Sequence, residues 1–289
     1  MQHTITPAQV KPRSTSWLII FDILFYILLA AFLAALAYYF YSYRDRIFLD
    51  FPVMLQAAGT TIFLSVTSMI LATFFGFIGA MGRLSRFFLF RWIALVYVEV
   101  IRGTPILVQL FLWFFGIGGL LLQLGFDPHT VAFQIMTVMQ NNSLVPGEIA
   151  FNAAFYGIIG LSFNYGAYLT EVFRTGIESV NKGQTEAALS LGLTSGQALR
   201  RIVLPQAIRI TIPPFTNYFI TLVQDSALLS VIGGVIELQQ MTTALASPLE
   251  SDLNAQLFVY VFGAVLFMCI CYPLSLLSRY LESRLGVAY

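Results

Sequence analysis

Charge is what this chain lacks. Of its 289 residues only 10% are charged, whereas 58% are hydrophobic, and mean hydropathy is +0.81. A soluble globule needs about a quarter of its residues charged to cover its surface. That shortage excludes a soluble enzyme, a secreted disulfide scaffold and a disordered regulator. The net charge of +1 provides no field for nucleic acid. Cysteine is scarce too: Cys269 and Cys271 lie two apart in an apolar run, which points them to different sides of a helix. They read as small apolar residues rather than a disulfide or metal pair. His3 and His129 stand far apart, and no nucleophile–base set or G-x-x-x-x-G-K-[ST] phosphate loop is present. Enzyme chemistry in this chain is therefore not expected.

Long apolar stretches take the place of charge. A membrane-spanning helix needs about 20 mostly apolar residues, and six stretches qualify: Trp17–Tyr43, Val53–Gly82, Trp92–Gly118, Ala150–Phe173, Thr211–Ile236 and Leu253–Ser278. The first is too long for a signal-peptide core and has no small-residue cleavage site behind it, so it reads as a retained helix. The fifth is opened by Pro213-Pro214, with Gly233-Gly234 near its end. Basic residues set the orientation, since Lys and Arg collect in cytoplasmic loops. With the N-terminus inside, twelve basic residues fall on the cytoplasmic side and only Arg44 and Arg46 outside. Both termini, 1–16 and 281–289, are therefore expected to be cytoplasmic. The outer loop Gly119–Ile149 contains Val131, Ile135, Val138 and Met139 near helical spacing, which predicts a short helix over 130–140 lying on the outer face.

Between the fourth and fifth stretches lies a cytoplasmic loop from Arg174 to Ile212. Glu186–Leu191 reads as a short helix capped by Thr185 and stopped by Gly192. Thr194 or Ser195 caps a second helix that runs to about Val203, where Pro205 ends it. Two short helices across a glycine turn make a rigid knob suited to docking. A DNA-reading helix pair fits the same spacing but not a loop tethered between two membrane spans.

These residues resemble a known family. Glu186-Ala187-Ala188, then Gly192, then Ile202-Val203-Leu204-Pro205 match the EAA loop of ABC importer permeases, here 185–205. Arg102-Gly103-Thr104-Pro105, Gly166 to Glu171 with Arg174, Lys182-Gly183-Gln184, Gln206-Ala207, and Asp225-Ser226 leading to Ser230–Gly233 resemble its polar amino-acid branch, the permeases for histidine, glutamate, glutamine and arginine. The resemblance covers about 53–280. It implies an all-α polytopic protein of six spans, a five-helix type I importer core plus one added helix at 17–43, in a bacterial inner membrane. It also implies three partners: a second permease, identical or homologous; a cytoplasmic ATPase dimer, which carries the ATP and magnesium; and an external binding protein that delivers a polar amino acid. By resemblance Glu186, Ala187, Ala188, Gly192 and Pro205 couple this chain to ATPase closure. The outer loop is longer than the family usually has.

Charges inside the spans are functional-site candidates, because a charge near the bilayer centre is costly unless paired or wetted. Arg102 lies about 15 Å into its span at helical rise. Glu99 is one turn earlier, so the two either pair with each other or Arg102 meets a substrate carboxylate in a central cavity. Gly103 and Pro105 open the helix locally, because Pro105 cannot donate to the Ile101 carbonyl. Asp225, with Asn217 two turns before it, either locks the helix to a partner permease by hydrogen bonds or lines the pathway. Glu171 is expected to pair with Arg174 at i, i+3. The competing class is an ion-coupled transporter or channel working without an ATPase, with Glu99, Arg102 and Asp225 coupling ions; the docking knob argues against it.

Overall fold

The computed structural model describes residues 16–138 and 148–285. All regular structure among the described residues is helical, as a backbone in hydrocarbon requires, because each N–H and C=O must find a partner within its own segment or a closed barrel. The chain divides into two units with the boundary between Leu49 and Asp50. In the first, α1 (Ser16–Ser42) exposes every side chain over residues 20–35. A helix apolar all round needs no polar face only when lipid surrounds it.

The second unit holds most of α2 (Arg44–Arg83), α3 (Phe88–Arg102), α4 (Ile106–Phe111) and α5 (Gly119–Gln123), with a π-helical turn over Leu112–Gly118 joining the last two. Next come α6 (Pro128–Val138), α7 (Glu148–Glu178), α8 (Lys182–Ser190), α9 (Ser195–Ala198) and α10 (Leu204–Asp225). A π turn over Leu199–Val203 fuses α9 to α10, and a 3₁₀ turn, Ser226–Ser230, extends the far end. The chain then leaves the helix through Gly233 and Gly234, both with positive φ (98° and 84°), and finishes with α11 (Leu238–Ala246) and α12 (Leu253–Leu285).

α7 is the central helix. It packs on α3, α4 and α10, while α10 packs in turn on α12. Against α2 it meets small residues at helical spacing. A Cβ on Gly76 would fall 2.6 Å from the Cβ of Leu169, and one on Gly79 would collide with the Thr170 hydroxyl. Ser162 donates to the Ser68 carbonyl across the same seam (3.1 Å). Lipid tails are as apolar as leucine, so helices associate in a bilayer through such close contact and interhelical hydrogen bonds. Glu171 adds a charge cluster: it pairs with Arg174 on its own helix (2.7 Å), as its spacing predicts, and with Arg83 of α2 (3.3 Å). The Arg83 contact is Coulombic only, since neither atom is aligned as a hydrogen bond.

Four helical stretches among the described residues are long and apolar enough to cross a membrane: Ile20–Ser42, Arg44–Arg83, Ile106–Gln123 and Leu253–Arg284. The expected spans Ala150–Phe173 and Thr211–Ile236 fall on α7 and α10, which are less apolar because they face protein: Ser162, Asn164 and Thr170 of α7 are all buried. Two expectations are corrected. Trp92–Gly118 is two helices, because α3 ends at Arg102 and Pro105 restarts the chain as N-cap of α4. Pro213-Pro214 do not open the fifth stretch; they lie inside α10, which begins at Leu204. The short helix expected over 130–140 is α6, whose start is fixed by Asp127, which accepts from Thr130 and from Asn152 of α7; Met139 and Gln140 lie outside the described residues. Both cysteines are free thiols.

Candidate functional site: a charged cavity and a docking knob

The break after Arg102 creates the cavity. Without an N–H, Pro105 leaves the Ile101 carbonyl short of a donor. The side chain of Gln109, one turn into α4, supplies it: Nε2 donates to Ile101 O (2.7 Å), Thr104 O (3.0 Å) and Thr104 Oγ1 (2.8 Å). Its Oε1 accepts from Asn164 Nδ2 of α7 (3.1 Å). Gln109 is 5% exposed, so an apolar replacement would take the acceptor from the buried Asn164 amide and remove the side-chain bonds across the helix break. The helix end therefore stays open, although its hydrogen bonds are made, and Arg102 projects from it.

Three elements then converge by their periodicity. Asn164, Tyr165 and Tyr168 share one face of α7, and Tyr218, Thr221 and Asp225 recur at i, i+3 and i+7 on α10. With Arg102 and the Gly103–Ile106 segment they enclose a cavity of about 490 Å³, within the size range of small-molecule sites. The Arg102 guanidinium lies over the Tyr168 ring, 5.3 Å from its centroid. Tyr165 donates its hydroxyl hydrogen to Asp225 Oδ2 (2.6 Å). Tyr168 and Tyr218 pack 5.4 Å apart and complete an aromatic wall. A groove of similar size beside Phe74, Phe77 and Phe215 is, by contrast, lined almost wholly by apolar side chains.

Of the four residues expected on the pathway, Arg102 and Asp225 line this cavity and Glu99 and Asn217 do not. No ion pair joins Glu99 to Arg102 among the described residues. Arg102 is the last residue of α3, and its guanidinium finds the Tyr168 ring instead; Glu99 is exposed. Asn217 turns toward α12, where its Oδ1 accepts from Ser278 (3.2 Å). Asp225 bonds within this chain, to Tyr165. Sequence reasoning missed Gln109, Asn164 and the tyrosines; the available signal was a glutamine four residues after a proline in an apolar run.

The knob is built locally. Asn181, not Thr185, caps the first helix, accepting from Gly183 N (2.8 Å), because α8 begins a turn earlier than the apolar pattern indicates. Glu186 and Ala187 are exposed and Ala188 is buried. Gly192 has φ +85°. Leu193 N donates to Ala188 O (3.1 Å) and Gly192 N to Leu189 O (3.0 Å), the paired bonds that close a helix through a left-handed residue. Thr194 and Gln197 form a reciprocal capping box. Pro205 does not end the second helix. It sits in the first turn of α10, and the π turn before it carries the chain through without a break. Val180, Val203 and Ala207 bury the knob's base, while Leu191 stands 85% exposed at its tip.

Residues 72–287 match the family described as "Binding-protein-dependent transport system inner membrane component". The chain is 35% identical over 234 residues to the L-cystine transport system permease protein TcyB of Bacillus subtilis (strain 168), covering 81% of this chain and 87% of that one. It is 33% identical over 244 residues to the probable glutamine ABC transporter permease protein GlnM of the same organism, covering 84% and 98%. The fold is also similar to a solved structure titled "Crystal structure of an amino acid ABC transporter with histidines", with TM-score 0.63, 30% identity, and coverage of 81% of this chain and 94% of that one.

Proposed function

The chain belongs to the binding-protein-dependent transport system inner membrane components, and from that premise we propose that it forms the membrane pathway for ATP-driven uptake of a polar amino acid. It is a multi-pass, type I importer permease, and its relatives are permease proteins of amino-acid transport systems. Nothing in those relatives favours the ion-coupled alternative. The substrate rests in the Arg102–Asp225 cavity. Glu186, Ala187, Ala188, Gly192 and Pro205 transmit the closure of a separate ATPase dimer, which holds ATP and magnesium. A second permease, identical or homologous, completes the pore, and an external binding protein delivers the amino acid. The knob and both termini face the cytoplasm.

The observation that carries this reading is the position of α10. One helix links the knob at its first turn, through Pro205, to the cavity at its last, through Asp225. Arginine can hold a carboxylate by two parallel hydrogen bonds that lysine cannot reproduce. Arg102→Lys keeps the charge, and among the described residues Arg102 makes no ion pair whose loss would unfold the chain. At matched membrane expression its uptake should fall about tenfold or more, the loss of one charge-assisted hydrogen bond. Wild-type uptake kinetics in the lysine variant would remove the cavity from the pathway.

A further inference from the structure

Taking the cavity as the substrate's resting place, we propose that it selects amino acids whose side chain carries no charge, with Arg102 holding the α-carboxylate and Asp225 the α-ammonium. The proposal rests on the functional reading above and narrows it to a substrate class.

Arg102 and Asp225 are the two charged residues of the lining, one of each sign. Each is half engaged. The Arg102 guanidinium lies over the Tyr168 ring. None of its N–H groups meets a protein acceptor among the described residues, so the edge that carries parallel donors is open. Asp225 Oδ2 accepts from Tyr165, and Oδ1 has no protein donor among the described residues. An open donor fork and an open carboxylate oxygen on one cavity match the two ends of a zwitterion.

Among the described residues the lining holds no further charged group to neutralise a third charge. Glu171 is shared between Arg83 and Arg174, and Glu99 lies outside the lining. The Tyr168 ring already carries Arg102, and the Tyr165 and Tyr218 rings that remain offer a cation about 0.5–2 kcal/mol, less than a paired carboxylate would. The other polar groups are dipoles: Thr221 donates to Asn217 O, Thr104 to Val100 O, and Asn164 to Gln109. Amides and hydroxyls beside tyrosine rings can satisfy a neutral polar side chain, whereas an extra charge there would be desolvated without a partner.

The test uses the importer complex purified without its external binding protein, so that any selectivity belongs to the membrane part. Equilibrium binding of radiolabelled glutamine, arginine and glutamate is compared. Glutamine should bind at least tenfold more tightly than either charged amino acid. Thr221→Asp adds an acid to the lining at an exposed position and should bring arginine to within threefold of glutamine or beyond it. Equal binding of arginine or glutamate in the wild type, or no gain for arginine in Thr221→Asp, overturns the substrate class and leaves the cavity reading standing. Failure of all three amino acids to bind, or glutamine binding that is unchanged in both Arg102→Ala and Asp225→Asn, overturns the cavity reading itself and the class with it.

Discussion

The knob and the cavity occupy opposite ends of α10 and are made in opposite ways. The knob's caps and turns join residues two to five positions apart: Asn181 with Gly183, Thr194 with Gln197, Leu193 with Ala188. The bonds that bring the cavity's helices together join residues 55 and 60 apart: Gln109 with Asn164, Tyr165 with Asp225. A docking element that must be rigid before its partner arrives benefits from being self-contained. A binding cavity in the membrane needs groups from several helices, and it exists only once those helices have packed.

This contrast can be broken by substitution. The largest effect is expected at Gln109→Leu, which takes the acceptor from the buried Asn164 amide and removes the side-chain bonds to Ile101 and Thr104; at 1–3 kcal/mol for a buried unsatisfied group, with the lost bonds added, the loss is about 2 kcal/mol or more. The purified protein should melt several degrees lower and lose uptake, and retention of the proposed ATPase partner should be unchanged. Unchanged melting would mean that the helix break is held by something other than this amide. Next comes Gly192→Val, which forces a β-branched residue into a left-handed turn at a cost of about 1–2 kcal/mol. Uptake and ATPase retention should fall while the melting of the membrane part stays as in the wild type. A parallel drop in melting would show that the knob is not self-contained. The smallest effect is expected at Thr194→Ala, where a lost N-cap costs about 1 kcal/mol. Amide exchange over residues 195–198 should quicken about fivefold at that cost, with no change at the cavity.

The same contrast explains what could be read from sequence. The Gly192 stop and the Thr194 cap are legible because they depend on neighbours. The start of α8 is less legible, because its cap, Asn181, lies one helical turn before the apolar pattern begins. Spacing rules gave the Glu171–Arg174 pair and failed for Glu99–Arg102, although both are i, i+3. Arg174 has helix on both sides, whereas Arg102 ends its helix, and an aromatic ring 66 residues later in the chain competes for its guanidinium. The break at Pro105 was legible from the missing N–H, but its repair was not, because the donor is a side chain. Asn217 was placed with Asp225 on periodicity alone, and only the packing of α12 reveals that it faces away.

The two prolines inside α10 give that helix a mechanical property. Lacking N–H groups, Pro213 and Pro214 leave the helix two backbone bonds short midway between knob and cavity, and just beyond them Thr216 is tied to Ser278 of α12 (2.8 Å). Bending concentrates where bonds are missing, and a tie beside the weak point makes a pivot. From Pro213 to Asp225 the arm is about 18 Å long at helical rise, so a tilt of about 10° carries Asp225 sideways by about 3 Å. That is the length of one hydrogen bond, enough to take Asp225 into or out of reach of the Tyr165 hydroxyl.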